Sequence, residues 1–76
     1  MPRYYFDLSS REGFTRDRVG QALDESDMKT MVARVIVEIA SDEMPLGDDE
    51  SISITVRDES DRPIYTASLT FRSSAL

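Results

Sequence analysis

Apolar and polar positions alternate over residues 3 to 8, with Tyr4, Phe6 and Leu8 on one side and Arg3, Tyr5 and Asp7 on the other. That period of two is the signature of a half-buried strand. Ser9-Ser10-Arg11-Glu12-Gly13 reads as a turn, followed by a short polar return strand over Phe14 to Arg18 that ends near Gly20 and suits a sheet edge. From Asp24 the period changes. Met28, Met31, Val32, Val35, Ile36 and Ile39 recur at the i, i+3, i+4, i+7 spacing of a helix with one buried face. Asp24 suits the N-cap, Glu25 and Asp27 put negative charge in the first turn, and Pro45 with Gly47 marks the end. A helix over residues 24 to 43 spans about 30 Å. Ala33 and Val37 fall off its stripe, facing solvent or a second surface.

Leu46 to Glu50 reads as an acidic loop, in which Asp48, Asp49 and Glu50 are expected to be ordinarily solvated. Alternation then returns twice, with Ile52, Ile54 and Val56 apolar in Ser51 to Asp58, and Tyr65, Ala67, Leu69 and Phe71 apolar in Pro63 to Arg72. Asp58 to Arg62 makes the intervening turn without a glycine, so the two strands form a hairpin. Residues 73–76 are expected to fray.

The pattern predicts an α+β fold, β-β-α-β-β, in which one amphipathic helix crosses one face of a four-stranded, mainly antiparallel sheet. A fully antiparallel sheet takes the strand order 2-1-3-4 or 1-2-4-3, and the first leaves the polar second strand at an edge. Tyr4 and Phe6 then belong to the core, beside Phe71, Tyr65 and Ile54.

Composition narrows the chemistry. The 76 residues carry a formal net charge of −6, no cysteine and no histidine. At that length one domain is expected, with a small core that oligomerisation would help. The absence of both residue types excludes disulfides and the usual zinc sites and removes the commonest nucleophiles and proton carriers of enzymes. No apolar run reaches a membrane span and no secretory signal is present, so a cytoplasmic, bacterial setting without a membrane partner is expected. No calcium loop, phosphate loop or nucleophile elbow occurs, and no cofactor is implied.

The strand registers collect a polar outer face of Arg3, Tyr5, Thr55, Arg57, Thr66, Ser68, Thr70 and Arg72, together with Asp7 and Ser53. It is rich in hydroxyls, and its three arginines make it locally positive on an acidic protein. These residues form the candidate interaction face.

The opening Met1-Pro2-Arg3-Tyr4-Tyr5-Phe6-Asp7, Gly13-Phe14 with Asp17 and Gly20, Asp42-Glu43 with Pro45 and Gly47, and Val56-Arg57-Asp58-Glu59 with Arg62-Pro63-Ile64 together resemble a family of short alphaproteobacterial proteins, common in rhizobia, classed as a domain of unknown function. The resemblance runs over nearly the whole chain and brings no activity or cofactor. Its members typically carry Asp-Gly in the last turn, where this chain has Ser60-Asp61, so aspartate has to take any left-handed position.

The reading that follows is a non-enzymatic protein-interaction module, a homodimer or an adaptor for a basic partner, using the open sheet face or an edge. The alternative is single-stranded nucleic-acid binding through that face, with Tyr5 as the stacking ring and the arginines on phosphates.

Overall fold

The computed structural model describes residues 1–43 and 49–76, with only the backbone of Glu43. Pro45, Gly47 and Asp48, to which the helix stop and part of the acidic loop were assigned, lie outside them. Strand β1 (Arg3–Ser10) turns back into β2 (Gly13–Thr15), and a two-residue strand β3 (Gln21–Ala22) leads into helix α1 (Glu25–Glu43). Strands β4 (Asp49–Arg57) and β5 (Pro63–Arg72) complete the chain. The sheet order is β2-β1-β4-β5 with every pairing antiparallel, and β3 pairs separately with the start of β1. The fold is α+β with a single helix on an antiparallel sheet, in the strand order that the polar second strand favours.

The return strand is shorter than its alternation predicts. Pairing with β1 stops at Leu8↔Thr15 and resumes only at Tyr4↔Gln21. Between them the Asp17 carboxylate takes the place of a strand carbonyl: its Oδ2 accepts the Phe6 N–H at 3.0 Å, and its Oδ1 accepts those of Val19 at 3.0 Å and Gly20 at 3.2 Å. One side chain thus satisfies the edge of β1 where no strand lies beside it.

Gly20 makes this detour sterically feasible. Its φ is +70°, and a Cβ there would stand 2.8 Å from the Tyr5 ring and 2.9 Å from the Tyr4 carbonyl oxygen. Backbone strain and overlap act together. Gly20→Ala is expected to destabilise the protein by about 2 kcal/mol or more, measured by urea denaturation; an unchanged midpoint would mean the 16–20 segment is free to move away from β1.

Helix α1 begins as its sequence predicts. Asp24 accepts the Asp27 N–H on its side chain at 2.7 Å and the Met28 N–H on its carbonyl at 3.0 Å. Met28, Val32 and Ile36 are buried against Tyr4, Ile52, Ile54 and Val56, with Phe6, Leu8, Val35, Ile39, Tyr65 and Ala67 packed around them. Phe71 departs from expectation. It is 40 % exposed and Leu69 36 %, whereas the buried core gathers Met28, Val32 and Ile36 of the helix on Tyr4, Ile52, Ile54 and Val56 of the two central strands.

The acidic loop is also corrected in part. Asp49 and Glu50 belong to β4, and Glu50 is buried rather than solvated, held by an ion pair with Arg11 of the β1–β2 turn. In the last turn Asp61 takes φ +65°, the left-handed conformation that the missing glycine required of it. Asp58 holds this turn: its Oδ1 accepts the N–H groups of Ser60 and Arg62 at 2.9 and 3.0 Å.

Candidate functional site

The outer sheet face divides into two regions, because only one end of it is open. At the closed end β1 and β4 set Tyr5 opposite Arg57 and Asp7 opposite Thr55, so Asp7 and Arg57 are diagonal neighbours on one face. The Arg57 guanidinium grips the Asp7 carboxylate with both prongs, Nε–Oδ2 2.6 Å and Nη2–Oδ1 3.1 Å. Its Nη2 also donates to the Asp17 carbonyl at 2.8 Å, its Nη1 to Asp61, and its Cζ lies 5.1 Å from the centre of the Tyr5 ring. Asp7 accepts the Asp17 N–H at 3.0 Å as well. Asp7 and Arg57 are only 5 % and 8 % exposed.

Arg57 was expected to project into solvent; the structure buries it under the 16–20 segment and the 58–62 turn. The correction follows from chain path rather than register, since the residue does occupy the outer face. The Arg57 hydrogen bond holds the Asp7 carboxyl below its ordinary value, against the opposing effect of burial. Burial pushes Asp17 upward, yet the N–H groups of Phe6, Val19 and Gly20 outweigh it and leave that carboxyl lowered too. Arg57 itself is raised, chiefly by its hydrogen bond to Asp7. Both carboxylates stay ionised at neutral pH, so this corner is a fixed charge network rather than a proton-transfer site.

The other two arginines of the face also have partners. Arg3 Nη1 donates to the Val19 carbonyl at 2.7 Å, and Arg72 Nε lies 3.7 Å from Asp49 Oδ1. What remains open is a band of hydroxyls. Thr66, Ser68 and Thr70 are exposed along β5 and Thr55 is half-buried on β4. Thr70 and Ser51 share a hydrogen bond at 3.3 Å, and the Thr66 hydroxyl donates to the Ile54 carbonyl at 3.2 Å.

Beside this band runs the edge of β5, which residue patterns alone do not reveal. In an antiparallel ladder both backbone groups of a residue point to the same side, and the side alternates along the strand. The Phe6 N–H turns to Asp17, away from β4, so Tyr5, Asp7 and Ser9 are the β1 residues that bond to β4. Ser53 and Thr55 opposite them point to β1, which aims Ile52, Ile54 and Val56 at β5, in agreement with the Thr66 hydroxyl on the Ile54 carbonyl. Tyr65, Ala67 and Leu69 therefore bond to β4, while Thr66, Ser68, Thr70 and Arg72 turn their N–H and C=O outward; at Ile64 the register with β4 shifts and the alternation stops. Among the described residues nothing pairs with that side of β5.

A small α+β domain, with one helix on one face of an antiparallel sheet and a long outer strand at one edge, is the class that fold and surface define. The chain belongs to the family of the domain of unknown function DUF6894, whose model matches residues 3–70. No curated protein and no solved structure matches it. Among the described residues no helix is long and apolar enough to cross a membrane.

Proposed function

We propose that the protein is a non-enzymatic protein-interaction module of the cytoplasm, and that the β5 edge with its hydroxyl band is the working surface. The edge carries this reading. From Tyr65 to Phe71 it contains no charge, no proline and no register shift, devices by which sheet edges are usually kept from pairing. Strand addition to such an edge supplies main-chain hydrogen bonds for affinity and alternate side chains for specificity. The nucleic-acid alternative is the weaker one, since it needs the arginines of the face for phosphates, yet Arg57 is buried on Asp7 and Arg3 donates to the Val19 carbonyl.

Amide mapping tests the surface directly. On titrating isotope-labelled protein with cell extract, the amides of Thr66, Ser68 and Thr70 should shift or broaden before those of Tyr5 and Thr55. Perturbation confined to the helix or to the 16–20 segment would place the working surface elsewhere.

A further inference from the structure

Resting on that edge reading, we propose that the strand which pairs with β5 is β5 of a second copy of this chain, antiparallel about a two-fold axis through Ser68. Three observations select this occupant over an unrelated strand.

The first is backbone complementarity. An axis through Ser68 sets Thr66 opposite Thr70 of the second copy and Ser68 opposite itself, so these outward-turned residues meet their counterparts.

The second is the helix-side pattern in the same register. Phe71 falls opposite Tyr65 and Leu69 opposite Ala67, a ring against a ring and a large side chain against a small one. Leu69 and Phe71 are both partly exposed in the single chain, at 36 % and 40 %.

The third is the placement of α1, which packs on both β4 and β5. Strands lie about 4.8 Å apart, so an axis over the line between β4 and β5 stands about 5 Å from the two-fold. Two related helices then run antiparallel about 10 Å apart, at the upper end of the distance at which helices pack. The rotation of α1 is set from both sides. Lys29 stands over the Tyr65 ring, 5.5 Å from its centre, while Met31 and Val35 line a cavity towards Gly20 on the β1 side. Ala33 and Val37, four and eight residues after Lys29, therefore lie on the flank that would meet the second helix. Val37 is 56 % exposed in the single chain.

Because each copy carries a net charge of −6, long-range repulsion opposes the pairing, and added salt should tighten it. Binding of nucleic acid would respond in the opposite sense.

Sedimentation equilibrium over a hundredfold concentration range, at low and moderate salt, is the test, combined with charge reversal on the axis. Wild type should form a dimer that salt strengthens. Ser68→Lys and Ser68→Glu should each weaken self-association at least tenfold by setting like charges face to face, and mixing the two should restore a heterodimer. The chain has no cysteine, so Ser68→Cys offers a second readout. Facing Cα atoms about 5.5 Å apart are within disulfide reach, and oxidation should link two copies, whereas Thr66→Cys alone should not link. A strict monomer, a dimer that neither charge variant weakens, or linkage through Thr66→Cys in preference to Ser68→Cys would overturn the proposal. A monomer whose edge amides still respond to cell extract would overturn the second copy as occupant while leaving the edge as the working surface.

Discussion

Replacing Arg57 with alanine is expected to lower the melting temperature by on the order of 10 °C, the largest loss from any single residue of the outer face. The substitution removes the bidentate partner of Asp7 and leaves that carboxylate buried with the hydrogen bond it accepts from the Asp17 N–H. It also releases the Asp17 carbonyl and Asp61, which tie the 16–20 segment and the last turn to the sheet. An arginine standing free on an open face would behave in the opposite way, with stability hardly changed.

The pH dependence supplies an independent readout of the same network. Asp7 is held below its ordinary value of 3.8 in the folded chain, so as pH falls the unfolded chain takes up the proton first. The stability this pair contributes is complete above that value and disappears as pH falls through the lower folded one. Asp17 shifts in the same direction and adds to the effect. Wild type should therefore lose stability steeply below about pH 4, and Asp7→Asn should start lower and show a shallower acid slope. An Asp7→Asn profile parallel to wild type would remove the pair from the account of acid stability.

Tyr4→Ala is the second large effect, expected to cost about 3 to 5 kcal/mol, a share of a small domain's stability that leaves it partly unfolded at ambient temperature. Tyr4 is buried among Met28, Val32 and the β4 core residues, where the lost ring leaves a cavity in a core with few other large side chains. Tyr4→Phe keeps the ring and should change stability by less than about 1 kcal/mol. Thermal melts of both variants decide the point. Near-equal melting temperatures for Tyr4→Ala and wild type would show that the N-terminal aromatics are not what anchors β1.

Particular residues show how far the sequence was readable. The stripe of α1, its Asp24 cap and the inward set Tyr4, Ile52, Ile54 and Val56 were legible because each depends on a local period or a local hydrogen bond. The left-handed Asp61 was anticipated from the resemblance instead, by setting Ser60-Asp61 against the Asp-Gly usual in that family. Asp17 shows the limit: within Phe14 to Arg18 it reads as one more residue of a polar strand, and only the open flank of β1 turns it into a cap for Phe6, Val19 and Gly20. Glu50 reads as loop and becomes buried because Arg11, 39 residues away, arrives beside it. For the candidate surface, the alternation placed Arg57, Thr66, Ser68 and Thr70 on the outer face, while the direction of the β5 backbone groups emerged only from tracing pairings across three strands.

The sequence by itself determined the helix, the main strands and the side each residue takes on its own element, and it left two strand orders, of which the polar second strand favoured the one observed. Tertiary structure alone decided what covers each side: Arg57 sealed beneath the 16–20 segment, Phe71 left 40 % exposed, and one edge of β5 turned outward. The physical reason is range. Periodicity is a property of neighbouring residues and survives in any fold that uses the element, whereas burial depends on which distant segments come to lie across it.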